Sequence, residues 1–464
     1  MTPDASVTDP EADIRHPPNR DAVVDRIRTC LARTDPDALS ACLEELHPSD
    51  LADAMEKLSP AHRLDLLRLI RADVAAAAVA EMEPDSRPEA AVAALPEADA
   101  AALLAAMADD DAADLLGALP GDDRERLLAA LPAQRSTILN GLLLFPDGSS
   151  GGIMTTALVV LAPGLDAAEA LAEVRRQGRA VDDSVLVLWV ADRHRRLLGT
   201  LGLDTLVLAD PARPIAELMG PPPATAGPHL DREEAARLLR HYDLPSLAVV
   251  DDGGRLLGQI TWDDVMDVLE EEETEDLLRF SGTDPEEPVR GGWWHAVRSR
   301  LPWLFLNLAT GSLAAGVVVL YREVIDSLVI LAAVMPLVAG LGGNAGTQSL
   351  AVTIRRITLE AHAPPGRWRL AGKEALVGLT TGAALGLALG AVGMLWLGGP
   401  GLGLVVLVAT WGNLVVASLA GAFVPVTLER LGIDPAVASS VFVTAFTDLA
   451  GFFLLLGLAS ALLL

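Results

Sequence analysis

PAVASSVFVTAFTDLAGFFLLLGLASALL, residues 435–463, is the stretch that decides the fold. Its only charged residue is Asp448, and it exceeds the ~20 residues that an α-helix needs to cross the hydrocarbon core of a bilayer. Four stretches upstream have similar length and apolarity, approximately residues 302–320, 328–351, 370–397 and 403–428. The sequence therefore predicts an all-α membrane domain over residues 301–464 with five transmembrane helices.

The charges in the loops predict the orientation of these helices. Basic residues precede the first helix and lie between the second and third: Arg298, Arg300, Arg355, Arg356, Arg367, Arg369 and Lys373. The loop at 398–403 and the end of the chain carry no charge. The positive-inside rule then predicts a multi-pass protein of the cell membrane with a cytosolic N-terminus and its C-terminus outside.

Asp448 is the candidate functional residue of the membrane domain. A carboxylate at membrane depth costs at least ~2.5–3.5 kcal/mol, so its presence there indicates a function. Thr444 and Ser440 lie one and two turns before it on the same helix face. No Lys or Arg occurs at matching depth, and no other titratable group is found in the spans, so a cation from solution is the simplest partner. The alternative is a hydrogen-bonding anchor between helices.

A second polar segment is PLVAGLGGNAGTQS, residues 336–349. Its glycines, with Asn344 and Gln348, predict a break in the second helix, and irregular backbone at that depth is tolerated where it lines a cavity. The carbonyl oxygens near Gly343 and the amide oxygen of Asn344 suit a hard cation. The alternative is close helix packing through small residues. Five helices do not readily enclose a pore, so a homodimer is expected.

The charge of the chain is concentrated before the membrane domain. Residues 291–464 hold nine Lys/Arg and seven Asp/Glu, which leaves 26 of 35 basic and 56 of 63 acidic residues in 1–290. Such an excess repels nucleic acid and attracts cations, although most of these charges are expected to be solvated surface. The polar, acidic start is unlike a signal peptide, and Cys30 and Cys42 imply no disulfide framework.

The acidic part, residues 1–290, divides into regions with different sequence patterns. Short helices ended by Pro or Gly recur over 21–145 and predict a helical solenoid, and two β–β–α units follow at about 60-residue spacing. The predicted domains are 1–20, a disordered lead-in; 21–145, a helical N domain; 146–208 and 209–268, the two β–β–α units; and 269–300, an acidic helix and linker.

The chain resembles the MgtE family of bacterial magnesium channels over nearly its whole length. The matching motifs are GGNAGTQ (342–348), IDPA (433–436), TDLAG (447–451), DVMD (264–267) with the acidic residues 272–276, and SGGIMTT (150–156). The resemblance implies a superhelical N domain, α+β tandem CBS domains and the five-helix membrane domain. It also implies a homodimer in membrane lipid whose pore is lined by the second and fifth spans, where Asp448 holds hydrated Mg²⁺ and carbonyls near Thr444 and Ser440 complete the site.

The resemblance also implies regulatory sites outside the membrane. The positions that match the family's Mg²⁺-sensing carboxylates are Asp264, Asp267, Glu272, Glu275 and Asp276, with Asp110 and Asp114 on the N domain. ATP binding is implied at Asp204 and Pro245, although Leu203 replaces the Arg of the family. In the pore, Ser440 and Val441 replace the Asn and Pro of some members.

The expected function is a Mg²⁺-selective channel that imports Mg²⁺ down its electrochemical gradient and is closed by cytosolic Mg²⁺. Co²⁺ and Mn²⁺ remain further candidate ions. The alternatives are a coupled Mg²⁺/Co²⁺ exchanger and a membrane-anchored CBS sensor that transports nothing. No enzyme is predicted, since the sequence has no P-loop, Cys/His metal cluster or nucleophile elbow.

Overall fold

The structure is a computed structural model that describes residues 20–33, 43, 46–181, 185–281, 283, 292–359, 367–431, 433 and 439–464. The predicted lead-in, all but Arg20, and most of the linker before Gly292 lie outside these residues. The chain forms two compact units, which divide between Glu270 and Glu271. We call them the N-terminal unit and the membrane unit.

The N-terminal unit begins with short helices, as the Pro and Gly stops predict. They are α1 (Arg20–Arg33), α2 (Pro48–Glu56), α3 (Pro60–Leu69), α4 (Ala72–Ala80), α5 (Pro88–Ala93), α6 (Glu97–Ala106), α7 (Asp109–Gly117), α8 (Gly121–Ala130) and α9 (Ala133–Leu142). Pro60 starts α3, where its missing N–H costs nothing, and the side chain of Ser59 caps the helix by accepting from the His62 amide at 3.3 Å. Each helix buries apolar side chains on one side, for example Leu66, Val92 and Leu104, and this shared apolar core holds the array together.

Two small α+β modules complete the unit. The first contains β1 (Val160–Leu161), α10 (Ala167–Gln177), β2 (Val187–Ala191), β3 (Leu197–Gly202), α11 (Leu203–Leu208) and α12 (Ile215–Leu218). The second contains β4 (Thr225–Ala226), α13 (Arg232–His241), β5 (Ser246–Val250), β6 (Leu256–Thr261) and α14 (Trp262–Phe280). The sheets are ordered β1-β2-β3 and β4-β5-β6. The predicted β–β–α units are thus incomplete, because β1 and β4, with two residues each, are too short for hydropathy to reveal.

The hairpins of the two modules are related residue by residue. Val187 pairs with Gly202 and Ser246 with Thr261, and both hairpins are irregular at the same place. Asp192 and Asp251 close the two turns, where each carboxylate accepts from two backbone amides. The modules are joined by a hydrogen bond from Trp189 Nε1 to Gln259 Oε1 of 2.8 Å. The two hairpins resemble each other because the same turn-forming residue, an aspartate, recurs at the same place in each.

The membrane unit begins within α14 and contains α15 (Trp293–Leu320), α16 (Arg322–Ser327), α17 (Ile330–Leu359), α18 (Arg367–Val392), α19 (Pro400–Arg430) and α20 (Ser439–Leu463). Within the described residues five helices are long and apolar enough to cross a membrane, as predicted. We call α15, α17, α18, α19 and α20 the first to fifth spans. Together with the helical array and the α+β modules, they confirm the predicted fold class.

The predicted break in the second span is wrong. Helix α17 is continuous from Ile330 to Leu359, through Pro336 and all the glycines of the motif. Gly342 and Gly346 are buried, whereas Asn344 is exposed. The glycines therefore allow neighbouring helices to approach α17, and the packing interpretation holds for them.

Candidate functional site

The polar face of the fifth span begins at the start of α20. Asp448 and Ser440 are half-buried and Thr444 is exposed, while Thr447 on the neighbouring face is fully buried. The Thr444 hydroxyl donates to the Ser440 carbonyl at 2.9 Å, and the Thr447 hydroxyl donates to the Thr444 carbonyl at 2.9 Å. Within the described part of the chain, Asp448 forms no ion pair with Lys, Arg or His. The carboxylate thus lies on a partly open face without a basic partner.

The second span packs against the fifth through its glycines. A Cβ on Gly346 would lie 2.5 Å from Val443 Cγ1, and a Cβ on Gly342 would lie 3.3 Å from Thr447 Cβ. Gly342 is thus level with the residue that precedes Asp448. Gly343 is half-buried and Asn344 exposed, and no hydrogen bond among the described residues joins Asn344 to Asp448. The glycine motif of the second span therefore packs beside the turn that carries Asp448. Among the described residues, however, the side-chain amide of Asn344 does not hydrogen-bond to the Asp448 carboxylate.

The fourth span lies against the second. The Ser349 hydroxyl donates to the Ser418 carbonyl at 2.8 Å. A Cβ on Gly421 would lie 2.5 Å from the Gly346 carbonyl oxygen. Small residues thus bring these helices into backbone contact.

A second carboxylate is buried in the membrane unit, which corrects the prediction that Asp448 is the only titratable group in the spans. Glu374 lies within the third span and is 4% exposed. Lys373 Nζ lies 3.9 Å from Glu374 Oε1 and is largely exposed. Glu374 lies near the basic end of the predicted third span, next to Lys373, and the sequence analysis did not recognise it as a buried titratable group.

In the N-terminal unit, the structure brings Asp264 and Asp110 together, although they are far apart in sequence. Burial raises the pKa of Asp264 to about 8, and the neighbouring charge of Asp110 adds to the effect. The hydroxyl of Thr261 donates to Asp264 Oδ2 at 2.5 Å. Asp110 is 7% exposed, whereas Asp114 and Asp267 are exposed. Of the two N-domain residues predicted to sense cations, Asp110 is the one whose charge acts on Asp264.

Asp109, the residue before Asp110, has a different environment. Its carboxylate binds Arg135 and accepts from the hydroxyl of Thr156. Arg135 also donates to the Ala108 carbonyl at 3.1 Å and the Leu104 carbonyl at 3.2 Å. Asp109 is therefore neutralised by the protein itself. The sequence shows three consecutive aspartates at 109–111 and does not distinguish them.

A second group of carboxylates surrounds Glu83, and the sequence analysis missed it. Burial is the main reason that the pKa of Glu83 is raised. The negative charges nearby raise it further, and they belong to Glu56, Glu270, Asp267 and Asp85. Glu56 Oε1 accepts from the Glu83 amide at 2.8 Å. These residues come from the helical array and from α14, so their approach follows from the tertiary structure alone.

The remaining predicted sensing residues lie further along α14. Glu272 and Glu275 are half-buried, and Glu275 forms an ion pair with Arg279. The side chain of Asp276 lies outside the described residues. Within those residues no group of three or more His, Cys, Asp or Glu is placed to hold a metal ion. Mg²⁺ does not require such a group, because it keeps several waters and uses one or two carboxylates.

The predicted nucleotide residues do not line the cavity between the α+β modules. That cavity measures about 10 Å³, room for about one water, and is lined by Leu158, Val159, Val181, Val185, Leu186, Val187, Ser246 and Gln259. Asp204 and Pro245 are exposed. The cavity in this arrangement is far smaller than a nucleotide.

Family models recognise three parts of the chain. Residues 335–458 match the divalent cation transporter model MgtE, residues 46–148 the MgtE intracellular N domain, and residues 215–271 the CBS domain. The match to the transporter model over the membrane unit, together with its five candidate spans, places the chain among multi-pass transporters of divalent cations.

Comparison with two similar proteins identifies the family to which the chain belongs. The magnesium transporter MgtE of Enterococcus faecalis is 34% identical over 319 residues, 69% of this chain and 70% of the relative. The magnesium transporter MgtE of Thermus thermophilus is 34% identical over 328 residues, 70% of this chain and 72% of the relative. The chain belongs to the MgtE family.

The N-terminal unit also resembles solved structures. The cytosolic domain of the Mg²⁺ channel MgtE in complex with ATP is 32% identical with a TM-score of 0.50, covering 53% of this chain and 99% of that structure. The soluble part of a magnesium transporter has the same fold, with 23% identity and a TM-score of 0.52 over 55% of this chain and 99% of that structure.

Proposed function

We propose that this chain, as a homodimer in the cell membrane, conducts Mg²⁺ into the cell down its electrochemical gradient. The observation that carries the proposal is Asp448, a carboxylate in the fifth span that has no basic partner among the described residues. Its face is partly open within one subunit, which suits a pore between two subunits related by two-fold symmetry. The relatives named magnesium transporters support Mg²⁺ as the ion.

The chemistry required of this face is modest. Mg²⁺ gives up its water reluctantly, so Asp448 would attract the hydrated ion and accept hydrogen bonds from its waters. The carbonyls of Ser440 and Thr444 are already directed along the helix toward the Thr hydroxyls, which adds polar groups to the same face. One negative charge raises the local cation concentration without holding the ion too tightly to leave.

Mg²⁺ flux into liposomes tests this proposal. Asp448→Asn keeps the size and hydrogen bonding of the side chain but removes its charge, and we expect flux to fall at least tenfold. The matched control is Asp326→Asn, an exposed carboxylate between the first and second spans, which should conduct normally. Undiminished flux in Asp448→Asn would remove the site, and no flux in the wild type would remove the function.

The N-terminal unit is proposed to sense cytosolic Mg²⁺. Asp110 and Asp264 repel each other when both are ionised, as do Glu83 and its neighbours, so the arrangement described here requires bound protons or cations. A Mg²⁺ ion that binds only this arrangement stabilises it by RT ln(1 + [Mg²⁺]/Kd) for each site. The division between the two units falls within helix α14, so this helix belongs to the chain connection between the sensing carboxylates and the spans. We propose that the Mg²⁺-bound arrangement closes the pore.

Protease protection and flux together test the sensor. Millimolar Mg²⁺ should protect the N-terminal unit of the wild type from proteolysis. The double variant Glu83→Gln/Asp267→Asn should gain much less protection from added Mg²⁺, and its flux should no longer respond to internal Mg²⁺. The control Glu97→Gln/Asp99→Asn removes two charges from an exposed helix start and should behave as the wild type. Equal protection in both variants would contradict the sensor.

Glu374 favours a second candidate, coupled exchange, because coupling requires another titratable group in the spans. In that case flux would follow an imposed Na⁺ or pH gradient, and Glu374→Gln would abolish the dependence. Under the channel proposal flux depends on neither gradient. Measuring Co²⁺ and Mn²⁺ flux, and ATP binding to an Asp204→Ala variant, would test the remaining predicted ligands.

A further inference from the structure

The fourth span carries a buried amide, Asn413, at the place where three spans meet. Asn413 is fully buried, and its Nδ2 donates to the Val338 carbonyl of the second span at 3.0 Å. A Cβ on Gly342 would lie 2.3 Å from the same nitrogen, and a Cβ on Gly451 of the fifth span would lie 2.8 Å from it. The amide is therefore enclosed between two glycine backbones.

The location of this contact connects it to the proposed ion site. Gly451 follows Asp448 by three residues, so it lies about one turn away on α20. Gly342 lies level with Thr447, the residue before Asp448. The amide of Asn413 thus fills the space between the second and fifth spans at the acidic turn, and its thickness sets their separation there.

Packing alone does not explain why an amide, rather than an apolar side chain, fills this space. Among the described residues its Oδ1 accepts no hydrogen bond, and a buried polar atom without a partner costs about 1–3 kcal/mol. Val338 lies within helix α17, where its carbonyl already faces an amide of the next turn, so the helix does not require the bond from Asn413. An apolar side chain of similar size would suit the packing at least as well. Residues that break local rules in this way tend to serve function.

We propose that Asn413 is a positioning residue for ion conduction: it holds the second and fifth spans at the separation that places Asp448 on the ion path. This inference rests on the proposed function of Asp448. It assigns no ion ligand to Asn413, which acts through the helix that carries Asp448.

The contact is tested by size exchange in the full chain. Gly451→Ala adds a methyl group that meets the amide, so we expect a lower thermal midpoint in detergent and at least a tenfold loss of Mg²⁺ flux. Asn413→Ala removes the amide and makes room for that methyl group. The double variant Asn413→Ala/Gly451→Ala should therefore recover a midpoint and flux close to those of Asn413→Ala alone. Independent, additive losses would show that the two residues do not meet and would overturn the proposal.

The positioning role is tested with Asn413→Leu, which removes the polar atoms and replaces the planar amide with thicker methyl groups, so that the second and fifth spans are held further apart. We expect an unchanged or higher thermal midpoint together with a several-fold increase in the Mg²⁺ concentration for half-maximal flux. The control is Asn307→Leu, the same change at an exposed position of the first span, which should alter neither quantity. Wild-type half-saturation in Asn413→Leu would mean that the separation of the spans at this residue does not affect conduction, and the proposal would fail.

These results separate the inference from the function on which it depends. A wild type that conducts no Mg²⁺, or an Asp448→Asn variant that conducts normally, would overturn both the pore site and the positioning role. If Asp448 is confirmed while Asn413→Leu behaves as the wild type, only the inference about Asn413 is wrong.

Discussion

Asp264→Asn in the full chain should remove a pH dependence of stability from the N-terminal unit. Burial and the neighbouring Asp110 raise the pKa of Asp264 to about 8, whereas an unfolded aspartate has a pKa near 3.8. Between these values the folded chain holds a proton that the unfolded chain has released. The stability that this proton provides is therefore present at low pH and is lost as the pH rises through about 8.

The magnitude follows from the two pKa values. One pKa unit corresponds to 1.36 kcal/mol, so raising the pH from 6 to 8 should lower the free energy of unfolding by about 2 kcal/mol, roughly a thirtyfold change in the equilibrium. Asn carries no ionisable proton, yet its oxygen can still accept from the Thr261 hydroxyl. The variant should therefore lose this part of the pH dependence and be more stable than the wild type at pH 8 without Mg²⁺.

Amide hydrogen exchange of the detergent-solubilised chain can measure this effect. Exchange in α7 and α14 is compared at pH 6 and 8 in Mg²⁺-free buffer, after correction for the intrinsic rate of exchange. Mg²⁺ added at pH 8 should restore protection in the wild type, because the ion replaces the lost proton. It should restore less in Asp264→Asn, which has lost one of the two charges.

Asp192→Asn is the matched control. The backbone amides of Arg196 and His194 lower the pKa of Asp192, so its ionised form stabilises the turn at neutral pH. Replacing Asp192 with Asn should therefore destabilise the chain at neutral pH. The wild type keeps the stabilisation from ionised Asp192 at neutral pH and loses it only as the pH falls through the lowered pKa. If Asp264→Asn kept the wild-type slope between pH 6 and 8, the reasoning about the acidic pair would be refuted.

Three further predictions concern stability. Arg135→Ala should lower the free energy of unfolding, measured in urea, by about 3–5 kcal/mol, because it leaves the buried carboxylate of Asp109 without its charge partner. The control Arg68→Ala, at an exposed position, should change it by no more than about 0.5 kcal/mol. Equal effects of the two substitutions would contradict the buried ion pair. Gly421→Ala should lower stability by about 1–3 kcal/mol in detergent because its methyl group meets backbone, while Gly316→Ala, with nothing within 4 Å, should be tolerated; the thermal midpoints decide. Glu83→Gln should raise the thermal midpoint in Mg²⁺-free buffer at neutral pH, since burial and neighbouring carboxylates disfavour the charged form, and a lower midpoint would contradict this.

The sequence predicted features that depend on local pattern. Long apolar runs predicted five spans, because a bilayer requires a minimum helix length whatever the packing. The polar positions 440, 444 and 448 fall on one face because helical periodicity is fixed. The two β–β–α units at about 60-residue spacing predicted the related hairpins. In each case the physical cause lies within about twenty consecutive residues.

Predictions from the sequence were misleading or incomplete where distant residues meet. Glycines in the second span predicted a helix break, but their small size instead admits Asn413, Val443 and Thr447, and packing outweighs the helix propensity of glycine. Glu374 falls inside the predicted third span, residues 370–397, but was not recognised as a second titratable group there, and the structure shows that it is buried.

Composition and periodicity by themselves determined a membrane domain of five helices, an acidic N-terminal part and a single conspicuous carboxylate at membrane depth. Only the tertiary structure decided which carboxylates face one another and which are neutralised. Asp109 meets Arg135, Asp110 meets Asp264, and Glu83 lies among acidic neighbours. Net charge is a sum over the sequence, whereas the energy of each charge depends on its distance from the others and on its burial, and folding alone sets both.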